Sequence, residues 1–191
     1  MARRSREPKE ILDELIAEEK RADLAAVAAA RKATLLTSQR AVYNAVMESI
    51  EHDEGKCIFV DAPGGTGKTF TFNAILAAIR CQGNIAIAVA SSGIAAILLE
   101  LGRTFHSRFK ASRRPAEGQT LDISAQTALA KLIRRCKVIL WDEAAMANRY
   151  HLEALDLGGG RGRARAEPNG IGNGSQCAHL HMGCNNSQLD S

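Results

Sequence analysis

The sequence lacks any long apolar run. Across its 191 residues, the apolar stretches are broken by a charge or a glycine well short of the roughly 20 residues that a bilayer-spanning helix needs. The basic start MARRSREPKE is not followed by an apolar stretch, so it does not have the form of a secretory signal. The sequence therefore predicts neither a membrane span nor secretion.

The sequence also lacks the features of an organelle transit peptide and of a disulfide framework. Acidic residues such as Glu7 and Glu10 follow the first arginines, whereas organelle transit peptides are poor in acid. The five cysteines are odd in number and do not have the spacing of a disulfide framework. Cys57 and Cys136 stand beside apolar runs, where a small buried thiol is common. We therefore expect a reducing compartment.

The positive charge is modest in total but uneven along the chain. A net charge of +4 does not by itself indicate a nucleic-acid partner. Residues 103–114, RTFHSRFKASRR, nevertheless contain no acid. Their basic residues are Arg103, Arg108, Lys110, Arg113 and Arg114, and Phe105 and Phe109 lie between them. The distribution, and not the total, is therefore what bears on a partner.

Apolar periodicity predicts an α/β fold. Positions at three- and four-residue spacing predict helices over residues 8–33 and 37–50. Short apolar runs at 57–61, 84–90 and 137–143 predict strands, and they lack clean alternation, as strands buried on both faces do. Because helical segments separate these strands, we expect a parallel sheet flanked by helices.

The C-terminal segment has a different composition. Residues 157–191 are rich in glycine, serine and asparagine and have almost no periodic apolar positions, which predicts disorder. The stretch CAHLHMGC contains Cys177, His179, His181 and Cys184. Four ligands from so short a segment would not easily reach a tetrahedral site, so we interpret the cluster as chance and not as a zinc site.

The stretch APGGTGKT, residues 62–69, is typical of a P-loop between a strand and a helix. Ala62 stands where the strict motif has its first glycine. Glycines let backbone N–H groups surround an anion, and a helix N-terminus adds a favourable dipole. The predicted nucleotide-binding residues are Gly64, Gly65, Thr66, Gly67, Lys68 and Thr69. Lys68 is expected to reach the β- and γ-phosphates and Thr69 to bind Mg²⁺. The alternative, a simple glycine-rich turn, does not explain the flanking strand and helix.

The stretch VILWDEAAM, residues 138–146, ends a predicted strand in an acid pair. Asp142 is expected to hold the Mg²⁺ shell and Glu143 to act as the general base on the attacking water, with Lys68 as the second catalytic residue. The alternative is a strand that runs into a solvated turn. The P-loop upstream favours the catalytic interpretation.

Together these segments resemble superfamily-one DNA helicases of the PIF type, including the helicase regions of Helitron-like transposable elements. The resemblance runs through LLTSQRAVYNAVME, FVDAPGGTGKTF, AIAVASSGIAAILLELGRTFHSRFK and VILWDEAAMANRYHLEALD, in family order. It implies a partial RecA-like P-loop ATPase domain at 35–156, after a helical extension at 1–34 and before a disordered tail at 157–191. It also implies that Gln39, in TSQR, reads the adenine base, for which the alternative is a surface glutamine.

The resemblance also implies a track for single-stranded DNA. The implied contacts are Ser91, Ser92, Gly93, Thr104, His106, Ser107 and Arg108. The basic residues would line an electrostatic groove, with Phe105 or Phe109 available for stacking on bases. The alternative is a solvated basic loop whose phenylalanines belong to the core.

The implied function is an ATP-dependent DNA helicase that couples Mg·ATP hydrolysis to 5′-to-3′ movement on single-stranded DNA. DNA repair, recombination and telomere maintenance are usual roles for the family, and a nuclear or mitochondrial location would follow. We expect the chain to stop after the acid pair, without the family's next strand and second RecA-like domain. A nucleotide- and DNA-binding remnant without turnover therefore stays open. A small P-loop kinase is a third reading, disfavoured by Gln39 and SSGIAA.

Overall fold

The computed structural model describes residues 11–13, 16–17, 24–52, 56–124, 126–158 and 176–182. Residues 11–13 and 16–17 are helical. The helices that follow are α1 (Leu24–Thr34), α2 (Thr37–Glu51), α3 (Lys68–Cys81), α4 (Gly93–Leu98), α5 (Phe105–Phe109), α6 (Ala128–Arg135) and α7 (Arg149–Gly158). The strands are β1 (Cys57–Ala62), β2 (Ile85–Ala90), β3 (Arg103–Thr104), β4 (Cys136–Asp142) and β5 (Gln176–Met182), and a 3₁₀ turn spans Ala144–Met146.

The sheet confirms the predicted α/β class. Its strand order is β1-β5-β4-β2-β3. Strands β2 and β4 pair in parallel, and β3 extends β2 in parallel. All six residues of β2 are buried, as its unbroken apolar run predicts. The three strands expected from the sequence are therefore present, and their carboxyl ends bring the P-loop and the acid pair to one edge.

Strand β1 is less buried than the sequence predicts. Its residues alternate between partly buried and exposed, and Phe59 is 55% exposed. The expectation of a strand buried on both faces is wrong for β1. The reason is its position, because β1 is an outer strand of the described sheet and fewer elements cover it.

Strand β5 corrects the expectation for the tail. Residues 176–182 are not disordered but form a strand that pairs antiparallel with both β1 and β4. This strand lies between β1 and β4, so the two do not pair with each other directly. The physical reason is that backbone N–H and C=O groups in the middle of a sheet need partners. The other residues of the tail beyond 158 lie outside the described residues.

Two hydrophobic layers cover the sheet. On one face, α2 and α3 pack against β2 and β4, with Val46, Phe72 and Ile75 fully buried. On the other face, Phe105 and Phe109 of α5 form a buried aromatic cluster with Trp141 of β4. The acid pair therefore ends a strand that is packed on both faces.

Helix α1, in the predicted N-terminal extension, packs on the P-loop helix α3. Arg31 forms an ion pair with Glu100 and donates a hydrogen bond of 3.2 Å to the Asn73 carbonyl oxygen. The boundary at residue 34 stays a prediction, but α1 is not detached from the sheet domain. Within the described part of the chain, no helix combines the length and apolar character that a membrane crossing requires.

Candidate nucleotide-binding site

The loop between β1 and α3 has the backbone conformation of a phosphate-binding loop. Gly65 and Gly67 have φ values of +78° and +79°, a left-handed conformation that side chains with a Cβ disfavour. A Cβ on Gly67 would also lie 2.5 Å from the Gln39 Nε2 atom. Helix α3 begins immediately afterwards, at Lys68. Gly65 and Gly67 therefore stand where the backbone favours glycine, whereas Gly64 does not have a positive φ.

Lys68 folds back over this loop. Its Nζ atom donates hydrogen bonds to the carbonyl oxygens of Ala62 at 2.6 Å and Pro63 at 2.9 Å. The Thr66 hydroxyl also donates to the Pro63 carbonyl oxygen, at 2.8 Å. The ammonium group thus lies inside the curve of the loop, where a bound phosphate would offer it a stronger, charged partner.

Thr69 and Asp142 meet across the edge of the sheet. The Thr69 hydroxyl donates to the Asp142 Oδ2 atom at 3.3 Å, although the residues are 73 positions apart. One is in the first turn of α3 and the other is the last residue of β4. Two hard oxygen donors side by side suit Mg²⁺, which binds proteins through one or two oxygen ligands and phosphates. The predicted metal pair is therefore brought together.

The Asp142 carboxyl group is buried, with 6% of the residue exposed. Desolvation raises its pKa, and the nearby Glu143 carboxylate adds to the rise. The hydrogen bond from the Glu143 N–H, at 2.9 Å, and the neighbouring Thr69 and Lys68 act in the opposite direction. A cation beside this carboxylate would favour its charged form, so the environment fits a metal ligand.

Glu143 has an unusual backbone. It is one of three described non-glycine residues with positive φ, at +56°. Its carbonyl oxygen accepts hydrogen bonds from the Ser91 hydroxyl at 2.7 Å and from the Met146 N–H at 2.9 Å. Its Oε2 atom accepts one from the Ser92 hydroxyl at 2.6 Å. Strained conformations persist only where the surroundings hold them, and they cluster at functional sites.

Gln39 contacts the P-loop. Its Nε2 atom donates to the Thr66 carbonyl oxygen at 2.9 Å, and its Oε1 atom accepts from the Leu36 N–H at 3.0 Å at the start of α2. The glutamine is thus beside the nucleotide loop and not on a remote surface. Its reading of adenine stays a prediction.

The residues predicted to contact DNA divide into two groups. Ser91 and Ser92 hydrogen-bond the acid-pair strand, and Gly93 opens α4. Thr104 caps α5 by accepting from the Ser107 N–H at 3.3 Å. Whether any of them touches DNA stays a prediction.

The rest of the basic segment needs correction. Phe105 and Phe109 are fully buried, so they are core residues and are not available to stack on bases. Arg108 is 4% exposed, which does not fit a direct phosphate contact. The other four basic residues of this segment are exposed, and they are Arg103, Lys110, Arg113 and Arg114. A basic surface therefore remains, without the predicted aromatic platform.

His106 is partly buried beside a second histidine. Its ring meets that of His151 edge-on, with centroids 4.8 Å apart. Burial lowers the pKa of His106, and His151 and Arg113 lower it further. The surroundings of His106 within the protein therefore disfavour the charged form of its ring.

Sequence reasoning missed Trp141. Its indole Nε1–H donates to the Ser91 hydroxyl at 3.0 Å, and its ring stacks on Phe105 with centroids 4.0 Å apart. The apolar run VILW hides this role, since a tryptophan in a buried strand looks like ordinary core. Its N–H, which needs a partner when buried, was the available signal.

Comparison with known proteins shows which family the chain resembles. The family model described as PIF1-like helicase matches residues 34–159. A curated relative, the ATP-dependent DNA helicase PIF4 of Trypanosoma brucei brucei, is 29% identical over 108 residues. That match covers 54% of this chain and 13% of the relative. The region that the family model matches contains the P-loop, the acid pair and the residues between them.

Proposed function

Because this chain belongs to the PIF1-like helicase family, we propose that it binds Mg·ATP at the P-loop and hydrolyses it to drive 5′-to-3′ movement on single-stranded DNA. The observation that carries the proposal is the 3.3 Å hydrogen bond between the Thr69 hydroxyl and Asp142 Oδ2. It joins the phosphate loop to the acid-pair strand, which supports the proposal that one sheet edge binds and cleaves the triphosphate.

Each group has a distinct chemical role in this proposal. Lys68 exchanges its carbonyl partners for the β- and γ-phosphates, because a charged acceptor binds an ammonium group more strongly than a neutral one. Thr69 and Asp142 hold Mg²⁺, which when bound neutralises the phosphate charge and orients the terminal phosphate. Glu143, one residue further along, accepts a proton from the attacking water. Gln39 orients the adenine base through its amide.

The DNA is proposed to lie along the basic surface of residues 103–114. Its four exposed basic side chains would contact phosphates of the DNA. Such contacts supply most of the sequence-independent affinity for DNA. Gly93, at the start of α4, precedes this surface in the chain, and Thr104, which caps α5, lies within it. Roles in DNA repair, recombination and telomere maintenance, and a nuclear or mitochondrial location, are proposed from the family alone.

A second candidate is a nucleotide-binding protein that does not turn over. The observation in its favour is β5, which pairs with both β1 and β4. The chain is expected to lack the family's strand that follows the acid pair. The strand between β1 and β4 instead runs antiparallel to both of them.

The test measures ATP hydrolysis with and without single-stranded DNA, for the wild type, Lys68→Ala and the exposed control Lys131→Ala. We expect DNA to stimulate turnover, Lys68→Ala to reduce it by about 100-fold, as loss of a transition-state donor does, and Lys131→Ala to leave it unchanged. Saturable ATP binding without phosphate release would establish the second candidate instead. ADP formation only with a nucleotide acceptor would indicate a kinase.

A further inference from the structure

We propose that Ser92 is a positioning residue for Glu143, and that the Ser91–Ser92 pair holds this acid by both its backbone and its carboxylate. The inference rests on the proposed function for its catalytic meaning, since it concerns the general base of that reaction. Its structural basis is independent of turnover. It is the pair of hydroxyl groups, 2.6 and 2.7 Å from Glu143, at the end of β2.

The direction of each hydrogen bond is fixed by chemistry. The Ala95 N–H can only donate, so the Ser92 hydroxyl accepts from it, at 3.2 Å, and gives its single proton to the Glu143 carboxylate. The Trp141 indole can likewise only donate, so the Ser91 hydroxyl accepts from it and gives its proton to the Glu143 carbonyl oxygen. Both serines therefore donate to Glu143.

These contacts leave one carboxylate oxygen for chemistry. Ser92 engages Oε2, and no residue in the described part of the chain hydrogen-bonds Oε1. A donor on one oxygen restricts the rotation of the carboxylate and leaves the other oxygen to accept from water. Rigid support of this kind matters because a catalytic group misplaced by about 1 Å loses much of its effect.

The backbone contact has a matching purpose. Glu143 adopts a left-handed conformation with φ +56°, which is unfavourable for a non-glycine residue and persists only where the surroundings hold it. The Ser91 hydroxyl and the Ser91 N–H, which donates to the Asp142 carbonyl oxygen at 3.2 Å, hold this bend. The two serines after β2 thus hold both the backbone conformation and the side-chain orientation of Glu143.

Ser92 also caps helix α4, so a test must separate capping from positioning. Glycine is tolerated at an N-cap but has no hydroxyl, whereas threonine keeps both functions. We expect Ser92→Ala and Ser92→Gly to lower kcat about tenfold with an unchanged KM for ATP, since a positioned general base is worth about 10²–10⁴ in rate. Ser92→Thr should retain wild-type turnover. Thr127→Ala removes the cap of α6 without touching the acid pair and should leave kcat unchanged.

A thermal unfolding cycle tests the contact without any need for turnover. The loss of Tm caused by Ser92→Ala is compared in the wild type and in Glu143→Ala. We expect the loss to be larger by about 2–4 °C when Glu143 is present, as for an interaction near 1 kcal/mol in a chain of this size.

Equal losses in both backgrounds would overturn the proposal. So would Ser92 variants with full kcat in a chain that hydrolyses ATP. Absence of turnover in the unmodified chain would overturn the proposed function, while the thermal cycle would still decide the role of Ser92.

Discussion

The two sides of strand β4 differ in how the sequence specifies them. On one side, β2 pairs in parallel from Ile85 to Ala90, and every residue of β2 is buried. On the other side, β5 pairs antiparallel with Val138–Trp141 and joins β4 to β1. The first pairing is predicted by local apolar pattern. The pairing of β5 depends on the neighbouring strands, because β1 and β4 both present backbone N–H and C=O groups that need partners.

The sequence of β5 carries a weak signal of its own. In CAHLHM, Ala178, Leu180 and Met182 alternate with polar residues, which is the period of a strand. The surrounding glycine and asparagine made composition the stronger argument for disorder. A local pattern of a few residues was therefore outweighed by the average over the segment.

The largest expected effect comes from breaking the β5 side. Leu180 is opposite Ile58 on one side and Leu140 on the other. Leu180→Pro removes a backbone N–H from a strand paired on both edges, where proline is not tolerated. We expect a loss of about 3 kcal/mol in the free energy of unfolding, measured by urea titration.

A matched proline separates this effect from a general one. Glu117 precedes Gly118, whose φ is +71°, and the Gln119 N–H bonds the Ala116 carbonyl oxygen, so position 117 is the second residue of a turn. Proline is favoured at this position of a turn. Glu117→Pro should therefore leave the free energy of unfolding unchanged or raise it slightly. If both variants have wild-type stability, β5 does not complete the sheet and the comparison fails.

A smaller effect sharpens the difference between the outer and inner strands. Ile87 in β2 is fully buried, whereas Ile58 in β1 is only partly buried. Ile87→Val should cost about 0.5–1.5 kcal/mol, because one methylene is lost from a packed interior. Ile58→Val should cost less, since its surroundings can relax. Equal losses in urea titrations of the two variants would show that β1 is as tightly packed as β2.

The candidate site was largely predictable from the sequence, and the reasons are local. Gly65 and Gly67 require a left-handed backbone, and a strand on one side with a helix on the other leaves few positions for Lys68 and Thr69. The meeting of Thr69 with Asp142 follows once the strands are parallel, because carboxyl ends of parallel strands share an edge.

The rest of the site depends on tertiary packing. Phe105 and Phe109 lie among basic residues in the sequence, but both are buried in the structure. Phe105 stacks on the Trp141 ring of β4. In the sequence, Ser91 and Ser92 look like ordinary polar residues of a loop. Only the structure shows that both donate hydrogen bonds to Glu143. No spacing rule connects residues about 50 positions apart.

The most direct test of the central claim is Mg²⁺-dependent binding of ATP, measured by calorimetry on the wild type, Asp142→Asn and the exposed control Asp122→Asn. The claim is that the P-loop and the end of β4 form one site for a metal-bound triphosphate. We expect saturable binding by the wild type and by Asp122→Asn, weakened about tenfold or more by chelation of Mg²⁺ or by Asp142→Asn. Binding that is unaffected by both changes, or no binding by the wild type, would contradict it.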